Sequence, residues 1–422
     1  MNNVKAVTGA LNIVSAVFFC LLTSVPSYAH LPEYLGRRYF LEPDPAPQIP
    51  EPCRGDRPAL RAQIQQVEQA INNVELPDGA YTAALVDRQA ELGRLYAELC
   101  NHPASLDEYR KALHSVRVND GLMTKAQLPF LRALAKSYRA IGDVESAQNS
   151  LRQAFRIHGY GRSELDEQAL ADCLAYFQLA RELYTDPRYR ADARLFFEAY
   201  QDNREMLEAQ QAGSLAYTDF EMLALSHLRN QYLLLGTDPQ GGEGPAIEDT
   251  SASWQFLVRT QVLVYARGAE LLEDLIQRAA DQPVATRARL HLRIANWHQW
   301  NIKYTRACRA YRVALALAQE ANEQTLINRL SLPAELPEDE ELWAHLMAPD
   351  VPVMGRAVAS YRISHRGDVS RVRTEGIDDE DPESSPAGRL RRWLRDSHAR
   401  PAVIDGECVA GELSERVYRV IK

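Results

Sequence analysis

The 422-residue chain lacks the short signatures that would mark a catalytic or metal centre. Its ten histidines include no HExxH and no other metal spacing, and His291 and His298, seven residues apart, would stand two helical turns from each other. No GxSxG nucleophile elbow is present. No two of the six cysteines have CxxC spacing, which removes zinc ribbons and thioredoxin-type chemistry. GlnGlyGlyGluGlyPro (240–245) has neither the GxGxxG spacing nor a preceding strand, so it reads as a connector. AspAspGluAsp (378–381) has the wrong spacing for a calcium loop and reads as solvated. Excess positive charge is also missing: the net charge of −9 argues against general affinity for nucleic acid or anionic bilayers. The expectation is therefore no enzyme, no cofactor and no metal site. Catalysis would need a pocket assembled from residues far apart in sequence, such as His227, Trp297 and His298.

Long apolar runs are absent except near the start. Lys5, an apolar run from Ala16 to Leu22, and small residues Ser27 and Ala29 have the three-part form of a secretory signal over residues 1–29. Cleavage would leave His30 first and, with Lys5 gone, take the net charge from −9 to −10. The alternative is an uncleaved anchor over Val7 to Val25, weakened by Gly9, Asn12 and Ser15. The expected location is the periplasm, with no stable membrane span after cleavage. Export leaves Cys53, Cys100, Cys173, Cys308 and Cys408, an odd number. A disulfide between Cys53, in the Pro-rich entry segment 30–57, and Cys100, at a helix end, would tie that arm down. The other reading makes Cys100, Cys173 and Cys308 small apolar residues on buried helix faces, and it is the one favoured for Cys173 and Cys308.

From 58 to 332 the apolar residues follow helical period, and they repeat. LeuGlyArgLeuTyr (92–96) is followed by Ser105, Tyr109 and Ala112, and LeuAlaLysSerTyr (134–138) by Ala147, Leu151 and Ala154. Both sets lie nine, thirteen and sixteen residues past the tyrosine. Ala307, Tyr311 and Ala314 stand at the same intervals from His298, a degenerate third copy. With Gly142 and Asp143 at the turn, this pattern resembles the tetratricopeptide repeat. The longer offset between the first two copies predicts an insertion around 119–123. The resemblance implies a solenoid whose inner helices line a groove, which places Arg94, Arg132, Lys136 and Arg139 on a basic strip able to hold a carboxylate or acidic peptide. The alternative is that neighbouring acids such as Glu98, Glu91 or Asp87 neutralise it.

At Val351 the pattern changes. Residues 333–350 read as a linker, and 351–422 as strand, turn, strand, helix, strand. Met354–Ile363 and Val369–Arg373 flank a turn at Gly367, and ArgLeuArgArgTrpLeuArg (389–395) is a short basic helix. Trp393 and Leu394 should pack on Tyr361 and Ile363. The order Gly355, Tyr361, Ile363, Gly367, Val369, Val372, helix, Arg400, Pro401, Asp405, Gly406, Val409 resembles the carboxy-terminal domain of TonB. Ala399 replaces the aromatic residue usual before ArgPro, no Pro-rich spacer is present, and residues 1–29 hold no coupling histidine. The expected fold is mainly α, a tetratricopeptide-like solenoid followed by a small α+β domain. The expected function is a non-enzymatic periplasmic scaffold or adaptor. Its partners would be periplasmic or outer-membrane proteins, or a second copy joined through the last domain, with no nucleic acid. The alternative is an accessory or energy-transducing component of a TonB-dependent transport system.

Overall fold

The computed structural model describes residues 39–41, 57–78, 82–159, 165–186, 188, 193–210, 215–235, 251–348, 351–377, 386–397 and 399–421. Residues 1–29, Cys53, 240–245 and 378–381 lie outside that set. After β1 (Tyr39–Leu41) and α1 (Arg57–Asp78), ten helices follow in pairs. They are α2 (Ala83–Glu98) with α3 (His102–Asp120), α4 (Leu128–Ala140) with α5 (Val144–Ile157), and α6 (Glu167–Thr185) with α7 (Ala193–Gln210). Then come α8 (Tyr217–Leu235) with α9 (Ser251–Arg278), α10 (Val284–Trp300) with α11 (Tyr304–Glu320), and the short α12 (Gln324–Ser331). The 28-residue α9 has no counterpart in the sequence reading.

Local chemistry starts and stops these helices. Asp143 and Asp166 accept from the backbone N–H groups of Ser146 and Ala169, at 3.1 and 2.7 Å, and so cap α5 and α6. Gly121, at φ +99°, ends α3. The insertion near 119–123 takes the form of a lengthened α3 followed by a 3₁₀ turn at Lys125–Gln127.

The repeat spacing has a direct packing cause. A Cβ on Gly93 of α2 would lie 3.1 Å from the Tyr109 ring of α3, so the small residue is what lets the large one close in. The pair α9 and α10 uses the same device more severely, since a Cβ on Gly268 would fall 2.3 Å from Trp297. Ala112, Ala154, Ala307 and Ala314 are all fully buried.

The terminal module contains β3 (Val353–Ile363), β4 (Val369–Gly376), α14 (Pro386–Asp396) and β8 (Gly411–Ile421), with sheet order β1-β8-β3-β4, all antiparallel. Trp393 and Leu394 are buried in the same cluster as Tyr361 and Ile363. One strand comes from an unforeseen place: Tyr39–Leu41 pairs with Tyr418–Val420. The chain's own amino-terminal segment thus occupies part of the β8 edge, with β4 as the outer strand on the opposite side.

Residues 333–348 are not a free linker. They form β2 (Ala334–Glu335), α13 (Glu340–Trp343) and a 3₁₀ turn at Ala344–Met347, and they bury Leu336, Leu342, Trp343 and Leu346. β2 pairs with β5 (Ala399–Arg400). One apolar cluster runs from Leu106 through Trp297 to Tyr418 and Ile421, so solenoid and terminal module share a core. The pattern change at Val351 marks a change of local structure inside one packed body.

A disulfide fastens the two further. Cys308 of α11 is bonded to Cys408 of β7 (Glu407–Val409), which hairpins with β6 (Ala402–Ile404). This corrects the reading of Cys308 as a buried apolar residue; Cys173 is free and buried. Cys100 is also disulfide-bonded, while Cys53 lies outside the described residues. The Cys308–Cys408 bridge spans a sequence separation of 100, which restricts the unfolded chain strongly. Cys308→Ser should therefore lower unfolding free energy by about 2–4 kcal/mol. Urea midpoints of oxidised wild type and variant would measure it, and equal midpoints would show that the bridge adds nothing.

Candidate interaction surface

The first helices of successive pairs, α2, α4, α6, α8 and α10, each carry polar contacts. Arg94 of α2 bonds to Glu98 on its own helix. From α4, Arg132 reaches Asp172 of α6 at 2.7 Å, and Arg139 reaches Glu182 at 2.8 Å. Lys136, between them, is exposed and forms no ion pair among the described residues. The basic strip is therefore mostly neutralised, by Glu98 as weighed from the sequence and by two α6 carboxylates that no spacing argument could have placed. Tertiary packing decides this, because α4 and α6 are adjacent only once the pairs stack. Asp172 shows the strength of the arrangement: burial pushes its carboxyl up, yet bonds from His158, at 2.9 Å, and Arg132 outweigh that and hold it below the usual range.

Farther along, the same face is occupied by the chain itself. The segment after α12 carries ProGluAspGluGlu (337–341), and its polar contacts reach first helices, α12 and, through Arg400, β5. Arg229 of α8 pairs with Asp339 at 2.8 Å and Glu341 at 2.7 Å. Asn296 of α10 donates to Glu338 at 3.0 Å, and Arg329 of α12 reaches Glu338 at 2.9 Å. His345 Nε2 lies 2.8 Å from Thr185 Oγ1 of α6. Burial pushes His345 down to about 4, with Arg188, Arg139 and Arg181 adding to the effect against Asp186. Gln299, at the end of α10, donates to the carbonyls of Arg366 (2.6 Å) and Ala399 (3.1 Å). Arginines of α8, α12 and β5 thus hold an acidic segment of the chain itself.

Of the residues weighed for a catalytic pocket, His227 packs apart from Trp297 and His298, which share Tyr265. His227 packs on Tyr200, with ring centroids 5.0 Å apart, and burial beside Arg204, Arg267 and Arg181 pushes it down to about 3. His298 lies 3.2 Å from the Tyr265 hydroxyl, and Trp297 donates to the Tyr265 carbonyl at 3.0 Å. These are neutral or apolar packing groups. Among the described residues, no cluster of three His, Cys, Asp or Glu could hold a metal ion, and no helix is long and apolar enough to cross a membrane.

The packing defines the class of protein: mainly α, tetratricopeptide-like helical repeats followed by a small α+β region. No protein-family model matches the chain, and no curated protein matches it. Among solved structures, it is similar to a Podosopora anserina kinesin-light-chain structure of nearly identical TPR-like repeats, at TM-score 0.34 and 13% identity, covering 49% of this chain and 88% of that one. It is similar to BtubC (BKLC) from P. vanneervenii at TM-score 0.33 and 15% identity, covering 63% and 92%. It is similar to the apo form of RapI at TM-score 0.31 and 9% identity, covering 63% and 94%. At these scores the likeness is loose, and the class rests on the chain's own helix pairs and on the Gly93–Tyr109 and Gly268–Trp297 packing.

Proposed function

We propose that the protein is a non-enzymatic interaction scaffold exported to the periplasm, which binds extended acidic segments of partner proteins along the first-helix face of its array. The observation that carries this reading is the docking of Glu338, Asp339 and Glu341 on Arg329, Arg400 and Arg229. Charge-assisted arginine–carboxylate bonds of this kind are shorter and stronger than neutral ones. Self-docking fills the face at α8 and α10, so a partner would use the part formed by α2 and α4, where Lys136 is available. The disulfides at Cys308–Cys408 and Cys100 support an oxidising compartment.

Reversal of Arg132 or Arg139 would put an acid against Asp172 or Glu182 and damage the array itself. Lys136→Glu leaves those pairs intact. Capture of periplasmic protein by full-length Lys136→Glu should fall several-fold relative to wild type with no change in melting temperature; undiminished capture would sink the groove reading. The strand order of β3, β4, α14 and β8, with β4 as an open edge, supports a second reading as an accessory of TonB-dependent transport. Co-purification of an outer-membrane transporter with the full chain would favour it.

A further inference from the structure

A second charged surface lies on α14. Its apolar positions Pro386, Ala387, Leu390, Trp393 and Leu394 are buried, occupying one side at helical spacing. The other side carries Arg389, Arg391, Arg392 and Arg395, with Asp396 as the helix's single acid. Arg391, Arg392 and Arg395 are exposed, and Arg389 is half-buried. Their engagement is slight: Arg389 reaches Met354 Sδ at 3.7 Å, and Arg391 donates to Thr374 Oγ1 at 3.3 Å. None of the four forms an ion pair among the described residues, whereas Arg132, Arg139, Arg152, Arg229, Arg329 and Arg400 each face a carboxylate.

Four like charges within two turns repel one another, and an anionic ligand would relieve that repulsion. We propose that the arginine face of α14 docks an acidic segment of a partner protein through guanidinium–carboxylate bonds. The span from Arg389 to Arg395 is about 9 Å along the axis, the length of a short acidic stretch. A net charge of −9 repels a long polyanion such as duplex DNA or an anionic bilayer more than a short acidic stretch, because the repulsion grows with the charge brought near the whole molecule. Trp393, the helix's one aromatic residue, is buried and offers no platform for base stacking. The molecule already reads acidic sequence in this way at residues 338–341.

The test uses the full-length oxidised protein and a fluorescent hexaglutamate peptide, with anisotropy followed at rising salt. Duplex DNA and vesicles of anionic phospholipid serve as comparators. The peptide should bind at low ionic strength and weaken as salt screens the contact. Arg392→Glu with Arg395→Glu, which breaks no side-chain hydrogen bond among the described residues, should lower affinity about tenfold or more with an unchanged unfolding midpoint. Lys136→Glu should leave peptide affinity at this site as it was. Wild-type affinity in the double variant, loss in Lys136→Glu instead, or capture of DNA or vesicles but not peptide would each overturn the proposal.

Discussion

Glu338→Ala should destabilise the protein by about 3–5 kcal/mol, the cost of leaving a buried charge without its partner. The charge is that of Arg400, which is 1% exposed. Arg400 Nε and Nη2 donate to Glu338 at 3.0 and 3.1 Å, and its remaining donors go to the carbonyls of Arg329 (2.8 Å), Leu332 (2.9 Å) and Leu330 (3.3 Å). Asn296 joins Glu338 to the Tyr311 hydroxyl, 2.9 Å away. The network thus ties α10, α11, α12, the docked segment and β5 to one another. Urea unfolding would measure the loss, and a change below about 1 kcal/mol, the range of an exposed pair, would refute the clasp. Burial pushes the Glu338 carboxyl up, but Arg400 and then Arg329 overcome that and hold it below its usual value of 4.5. Its contribution is therefore complete above that value and disappears as pH falls through the lower folded one.

Two histidines act in a higher window. His345 and His227 are held at about 4 and about 3 against a usual 6.5. The unfolded chain takes up these protons first, so stability is complete above pH 6.5 and declines as pH falls toward those folded values. His345→Gln should flatten the decline between pH 6.5 and 4 while keeping a polar partner for Thr185. Melting temperatures across that range would show it.

Gly367→Ala should be similarly damaging, for a steric reason. A Cβ there would sit 2.1 Å from Gln299 Nε2 and 2.2 Å from the Ala399 carbonyl oxygen, on a residue held at φ +93°. The oxygen is backbone and cannot swing aside. Strain of about 1–3 kcal/mol at such a φ would add to the loss of the bonds from Gln299 to Arg366 and Ala399 and from Ala399 N–H to Gly367 O. The expected outcome is a loss of several kcal/mol in urea unfolding, with the hairpin's amides exchanging faster in deuterium exchange. A wild-type midpoint would show that the turn is not pinned to α10.

Much of this fold was legible. Tyr109, Ala112, Leu151, Ala154, Tyr311 and Ala314 are buried where the repeat spacing puts them, because helix packing acts through residues a few positions apart. Gly367 reads as a turn from its neighbours alone, and Trp393 and Leu394 pack as their helical spacing requires. The candidate site was read less well. Arg132 and Arg139 read as part of a basic strip, but their partners lie 40 and 43 residues away, and no local pattern announces Asp172 or Glu182. Residues 333–350 read as a linker because Pro and Glu are frequent there, yet Glu338 meets Arg329 and Arg400, and Asp339 and Glu341 both meet Arg229.

The amino-acid sequence by itself determined the helical-repeat character, the small-to-large packing, the change to strands after Val351 and the basic face of α14, since these depend on period and on residues close along the chain. Tertiary structure alone decided four things: Cys308 meets Cys408, Tyr39–Leu41 pairs with β8, Arg400 closes on Glu338, and the acidic segment lies against the array's own first helices. Each of these joins residues far apart in sequence, and such pairings exist only after the helices have stacked and brought their partners within bonding distance.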